Sequence, residues 1–153
     1  HVLLGIIETM VELTARHQLK WVLPVHPRLK KNLESHEEIQ KLLSNATHVH
    51  LISPLGYVSI LQMENLAKMI VTDSGGVQKE AYFAKKPCLI LRDTTEWKEI
   101  IETGNAFLVG AHPEKIKEKF QYVIEHSFDH WPTLYGEGNA AEEIAKVICE
   151  YLA

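Results

Sequence analysis

Met69-Ile70-Val71-Thr72-Asp73-Ser74-Gly75-Gly76-Val77-Gln78-Lys79-Glu80-Ala81 decides how the chain folds. A run of β-forming apolar residues passes through Asp-Ser-Gly-Gly into a helical pattern that continues to Lys85. A strand that feeds a helix through a glycine-opened turn is the repeating junction of parallel α/β proteins.

The same junction recurs on both sides. Upstream, residues 2–18 read as a helix, Trp21 to Val25 as a strand ending near a proline, residues 28–45 as one charged helix, and Val49 to Ile52 as a strand. Tyr57 to Lys68 reads as a helix whose buried side is Ile60, Leu61, Met63 and Leu66. Downstream come a strand at Pro87 to Leu91, a helix at Thr95 to Thr103 and a strand at Ala106 to Gly110. Helices at about residues 113–126 and 139–153 close the chain. The strands are apolar throughout rather than alternating, which is the mark of a sheet covered on both faces. The expected fold is therefore α/β, a Rossmann-like doubly wound parallel sheet. Residues 1–153 are read as one domain, with the helix of 139–153 set apart by the aromatic, Pro and Gly-containing stretch Ser127 to Gly138. The apolar helical stripe starts at Val2 with no capped lead-in, so the chain is read as beginning inside a longer sequence.

Composition narrows the function. Hydrophobic residues are 46%, charged residues 24% and the net charge is -4, a balance that disfavours nucleic acid or a membrane surface as partner. No apolar stretch approaches the roughly 20 residues that span a bilayer. Cys88 and Cys149 show no ligand spacing and read as two buried reduced thiols, which suits a cytoplasmic protein. His48 and His50 share a strand face but have no third ligand in view, so no metal and no cofactor are expected.

In open parallel sheets ligands bind at the carboxyl ends of the strands. Pro24 to Arg28, Ser53 to Tyr57, Asp73 to Gly76 and Leu91 to Glu96 all fall there. The third segment sets free N–H groups at a helix N-terminus, where the macrodipole favours an anion. Gly75 and Gly76 clear the approach for a phosphate, Ser74 adds a donor, and Glu80 lies one turn on, placed to accept from sugar hydroxyls. The plainer reading of Ser74 is a helix N-cap. Arg92 could reach the same phosphate or pair with Asp93 or Glu96. His26, fixed between two prolines, reads as a structural histidine bonded to the next loop or as a second-layer site group, and Arg28 is equally open. No Walker lysine, G-x-G-x-x-G fingerprint or G-x-S-x-G elbow is present.

These segments, with Lys86 to Glu96, Leu108-Val109-Gly110 and the closing Tyr135-Gly136-Glu137-Gly138-Asn139-Ala140, resemble the non-hydrolysing UDP-N-acetylglucosamine 2-epimerases in order and spacing. The resemblance runs from about residue 20 to the C-terminus. It implies the C-terminal, UDP-binding domain of a two-domain glycosyltransferase-B-type enzyme, without that domain's first strand and without the N-terminal catalytic domain. On that pattern Ser74, Gly75 and Gly76 hold the diphosphate, Glu80 the ribose hydroxyls, and the loop from Leu55 to Ile60 lies against the uracil. The implied reaction is epimerisation at C2 of the sugar by elimination and re-addition of UDP. Its carboxylate bases lie mainly in the other domain, so this chain alone is expected to be inactive. The implied partners are a UDP-sugar, that N-terminal domain and a second copy in a homodimer.

Three departures stand out. Trp97-Lys98 replaces the Arg-Pro of Thr-Glu-Arg-Pro-Glu, Gln78-Lys79-Glu80 replaces Gln-Glu-Glu, and His26-Pro27-Arg28 replaces His-x-Asn-Pro. They leave room for a modified UDP-aminosugar of the kind used for cell-surface polysaccharides. The competing readings are the donor-binding domain of a UDP-sugar glycosyltransferase, a hydrolysing epimerase, and a binding module without catalysis.

Overall fold

A computed structural model describes residues 2–152. The element order is α1 (Val2–Arg16), β1 (Trp21–Pro24), α2 (Pro27–Glu34), α3 (Glu37–Asn45), β2 (Val49–Ile52), α4 (Tyr57–Leu66), β3 (Ile70–Thr72), α5 (Gly75–Phe83), β4 (Cys88–Ile90), α6 (Lys98–Glu102), β5 (Ala106–Leu108), α7 (Pro113–Glu125) and α8 (Ala140–Leu152). All strand pairing is parallel. Among the described residues it forms two ladders, β1-β2 and β3-β4-β5.

The second ladder is covered on both faces, and β4 shows why its residues are all apolar. Leu89 points into a cluster with Met10 and Leu13 of α1, Val109, and Ile116, Phe120 and Val123 of α7. Its neighbours Cys88 and Ile90 point the other way, into a cluster with Ala81 and Tyr82 of α5, Ile100 and Ala106. Successive strand residues alternate faces, so a strand sandwiched by helices has no face left for polar side chains. The first ladder has its own cluster of Ile7, Val25, Leu33 and Ile39. Helix α1 contributes to both cores, and Trp21 of β1 packs against both.

The structure alters three expectations. The charged helix of 28–45 is two helices, because Ser35 and His36 divert hydrogen bonding from the helical ladder. Ser35 Oγ donates to the Asn32 carbonyl at 2.9 Å, and the His36 ring lies 2.7 Å from that same oxygen. His36 then becomes the N-cap residue of α3, whose first turn carries Glu37 and Glu38, favourable charges at that end. In α4, Leu66 is exposed and the buried residue is Glu64. Cys88 is buried but Cys149 is exposed on α8, a helix with no buried residue.

Residues 127–138 are held against the body rather than looping free. Tyr82 Oη donates to the Pro132 carbonyl at 2.6 Å, and Asn105 Nδ2 donates to the His130 carbonyl at 2.9 Å. Trp131, Leu134 and Tyr135 pack on the α5–β4 cluster.

The two thiols should separate cleanly. Burial, with a smaller contribution from the charge of Glu64, pushes the Cys88 thiol up to about 12. A thiol-specific chromophoric reagent at mildly alkaline pH should titrate Cys149 in the native protein and both cysteines after denaturation. Rapid native labelling of Cys88 would contradict this packing.

Candidate functional site

Helix α5 begins where β3 ends, and the turn is built from local bonds. Ser74 N–H donates to Thr72 Oγ1 at 3.0 Å, and Ser74 Oγ accepts from Val77 N–H at 3.5 Å, a long bond that makes Ser74 the N-cap. Both roles weighed for Ser74 are therefore compatible. The cap hydroxyl is exposed at the strand edge, and the first-turn N–H groups of Gly75 and Gly76 have no helical acceptor of their own.

The loop after β4 closes on this turn. Thr95 Oγ1 donates to Gln78 Oε1 at 2.6 Å in a buried contact and accepts from Trp97 N–H at 3.1 Å. The Trp97 indole N–H donates to the Gly75 carbonyl at 2.9 Å. A β-carbon at Gly75 would collide with the Glu96 carboxylate and force that side chain to swing away from the turn. Arg92 pairs with that carboxylate at 3.0 Å, the plainer of its two readings, and both side chains remain partly exposed at the mouth of the turn. Gly110 holds the far side: at φ +57° its N–H donates to the Arg92 carbonyl at 3.2 Å, and a β-carbon there would meet Asp93 and His112.

The family departures at Lys79 and Trp97 prove to be one unit. Lys79 Nζ lies 3.6 Å from the Trp97 ring centroid and 4.4 Å from that of Tyr135, while Tyr135 Oη donates to Glu99 at 2.7 Å. An ammonium over two aromatic faces is an electrostatic attraction that needs no carboxylate partner. Burial, then the bond to Glu99, raises the Tyr135 pKa; the same bond lowers that of Glu99.

Glu80 opens on a cavity of about 250 Å³ between α4 and α5, lined by Tyr57, Leu61, Asn65, Glu80, Phe83 and Ala84. Leu55, on the loop before α4, is exposed, and Ile60 is half-buried in that helix; neither belongs to this lining. A larger groove of about 930 Å³ lies at the ends of β1 and β2, lined by Val25, Pro27, Leu33, Leu51 and Pro54 among others. Its wall is mostly apolar with Lys30, Lys31 and Glu34 at its border, and it lacks the glycine-opened helix start of α5, so size does not make it the better candidate. His26, between the lining residues Val25 and Pro27, is the N-cap of α2, its Nδ1 accepting from Arg28 N–H at 3.4 Å; Arg28 itself is exposed. The four expected loops thus fall into two groups. Asp73 to Gly76 and Leu91 to Trp97 converge, Pro24 to Arg28 joins the groove, and Ser53 to Tyr57 runs from the groove to the Glu80 cavity. His48 Nε2 bonds the Val11 carbonyl at 3.1 Å, and among the described residues no cluster of three metal-ligating side chains occurs.

A Rossmann-like α/β domain with a glycine-cleared helix N-terminus at its strand edge is of the class that holds nucleotide phosphates. Residues 1–149 match the family model described as UDP-N-acetylglucosamine 2-epimerase, and the chain belongs to that family. It is 42% identical over 142 residues to a UDP-N-acetylglucosamine 2-epimerase homolog of Methanococcus maripaludis, covering 93% of this chain and 39% of that protein. It is 39% identical over 132 residues to the UDP-2,3-diacetamido-2,3-dideoxy-D-glucuronate 2-epimerase of Pseudomonas aeruginosa, covering 86% of this chain and 34% of that one. The crystal structure of Methanocaldococcus jannaschii UDP-GlcNAc 2-epimerase with UDP-GlcNAc and UDP superposes with a TM-score of 0.86 at 34% identity, over 97% of this chain and 41% of that one. The chain therefore spans about two fifths of the length of these relatives.

The Lys79–Trp97 unit is open to a double-mutant cycle. Lys79→Met and Trp97→Leu should each destabilise the domain in urea, and the pair should cost less than the sum by about 0.5–2 kcal/mol. Strict additivity would mean that the two side chains do not interact.

Proposed function

We propose that this domain is the UDP-holding part of a UDP-2-acetamido-sugar 2-epimerase, an isomerase acting by elimination and re-addition of UDP. The observation that carries the reading is the α5 N-terminus, where Ser74, Gly75 and Gly76 present a hydroxyl and free N–H groups at the exposed end of β3. Glu80, one turn further on, borders a cavity of the right chemistry for a ribose diol. A diphosphate at the first turn gains both the macrodipole and directed N–H donors. Arg92 is a cation within reach of the turn, on exchanging Glu96 for phosphate.

Leu55 and Ile60, on either side of Tyr57, are assigned to the uracil side, and His26 with Arg28 to a neighbouring layer or effector site. The bases that act at C2 are assigned to the remainder of a longer, homodimeric cytoplasmic enzyme, and this chain alone is assigned binding without turnover. The exposed apolar side chains Ile144, Val147, Ile148 and Leu152 of α8 suit docking on that same remainder. The likeness to the Pseudomonas protein supports a sugar class that includes modified 2-acetamido sugars.

Calorimetric titration with UDP should give a dissociation constant of about 10 µM to 1 mM. Ser74→Asp keeps an N-capping oxygen but sets a negative charge where phosphate must sit, so with Glu80→Ala it should abolish the heat. AMP should not bind. Equal binding of UDP and AMP, or binding that survives the double mutant, would overturn the reading.

A further inference from the structure

Helix α4 offers Ile60, Leu61, Met63 and Leu66 for burial, yet the residue it buries most deeply is Glu64, at 6% exposure, while Leu66 is 88% exposed. Glu64 Oε2 is buried with no hydrogen-bond partner, and no ion pair among the described residues involves this side chain. Its neighbour is another acid. Helix α4 packs on α5, and across that contact the carboxyl that acts on Glu64 is Glu80. From β4 the facing group is the Cys88 thiol, whose raised pKa keeps it neutral, and Tyr57 stands with Glu80 in the cavity wall.

Two neighbouring carboxylates without a paired cation repel each other when both are ionised and one is buried, and one proton between them removes both the repulsion and the missing donor. We propose that Glu64 is a positioning residue for Glu80, donating a shared proton to it so that the Glu80 carboxylate is aimed into the cavity as the acceptor for a vicinal diol. The proposal rests on the assignment of Glu80 to the ribose hydroxyls. No bond to the ligand is made by Glu64 itself. Loss of the shared proton sets two negative charges side by side and drives the less buried partner, Glu80, out of its binding position.

Burial, and then the charge and hydrogen bond of Glu80, push the Glu64 carboxyl from 4.5 to about 7. A carboxyl raised in the folded state contributes stability that is fully present below its unfolded value and is lost as pH rises through the folded one. Glu64→Gln keeps a donor to Glu80 but cannot lose it. That variant should match the wild-type melting temperature at about pH 4 and exceed it at about pH 8.5, a difference that a purely steric role would not produce.

The ligand test uses UDP-N-acetylglucosamine, whose diphosphate diester does not titrate in this range. Between about pH 6 and about pH 8.5 its affinity for the wild type should fall by about three- to tenfold, and for Glu64→Gln by less than about twofold. Glu64→Leu, which fills the space without a donor, should bind weakly with a flat profile. Parallel pH profiles for wild type and Glu64→Gln would overturn the proposal, as would wild-type affinity in Glu64→Leu. If none of the three proteins binds at any pH, the nucleotide reading falls and takes the ligand role of Glu64 with it. The melting curves then decide separately whether the proton is shared, and a Glu64→Gln difference independent of pH would show that it is not.

Discussion

The hydrogen bond from Thr95 to Gln78, buried between α5 and the loop after β4, is the tie on which the rest of the site depends. Gln78 is 1% exposed, and a buried amide whose oxygen lost its donor would carry the full cost of desolvation, about 1–3 kcal/mol. By pinning the loop at Thr95, the bond carries Trp97 to the Gly75 carbonyl and Glu96 to the glycine Cα, with Arg92 behind it. Helix α5 is thus held at its first turn by contacts that leave its N–H groups facing outward. Its remaining length is anchored by Ala81 and Tyr82 in the core. A rigid scaffold with an open helix end is what anion binding requires: donors already aligned, and little ordering left to do on binding.

The same loop explains how this chain tolerates departures from its family's usual residues. At positions 97 and 79, where the family pattern has arginine and glutamate, this chain sets an ammonium on an aromatic face, and Tyr135 of the closing Tyr-Gly-Glu-Gly segment adds a second ring. The helix, the loop and the C-terminal segment are therefore linked through one lysine. The charge stays beside the phosphate turn, and its sign is now positive at position 79, which favours an anionic ligand.

Much of this was legible in the sequence. Apolar strand runs, a glycine pair at a strand–helix junction and short connections locate β3 and α5 and the carboxyl-end loops, because each signal is local and each has a steric cause. What depends on tertiary neighbours was less visible. Glu64 reads as a solvent-facing residue of an amphipathic helix, and only the packing of α4 on α5 reveals that it is buried beside Glu80. The break at Ser35-His36 turns on side-chain hydrogen bonds that compete with the helix over a single residue. Cys149 follows an apolar helical stripe that points to burial, but no described residue of α8 is buried. The Gln78–Thr95 tie joins residues 17 apart, and nothing in either segment alone announces it.

The most direct measurement is an amide-resolved NMR titration of the chain with UDP. If the diphosphate sits on the first turn of α5, the N–H signals of Ser74 to Val77 should move downfield together and saturate at one dissociation constant, with the Arg92 side chain responding in parallel. Saturable shifts confined to the groove lined by Val25, Leu33 and Leu51, with the Gly75 and Gly76 amides unmoved, would contradict the central claim.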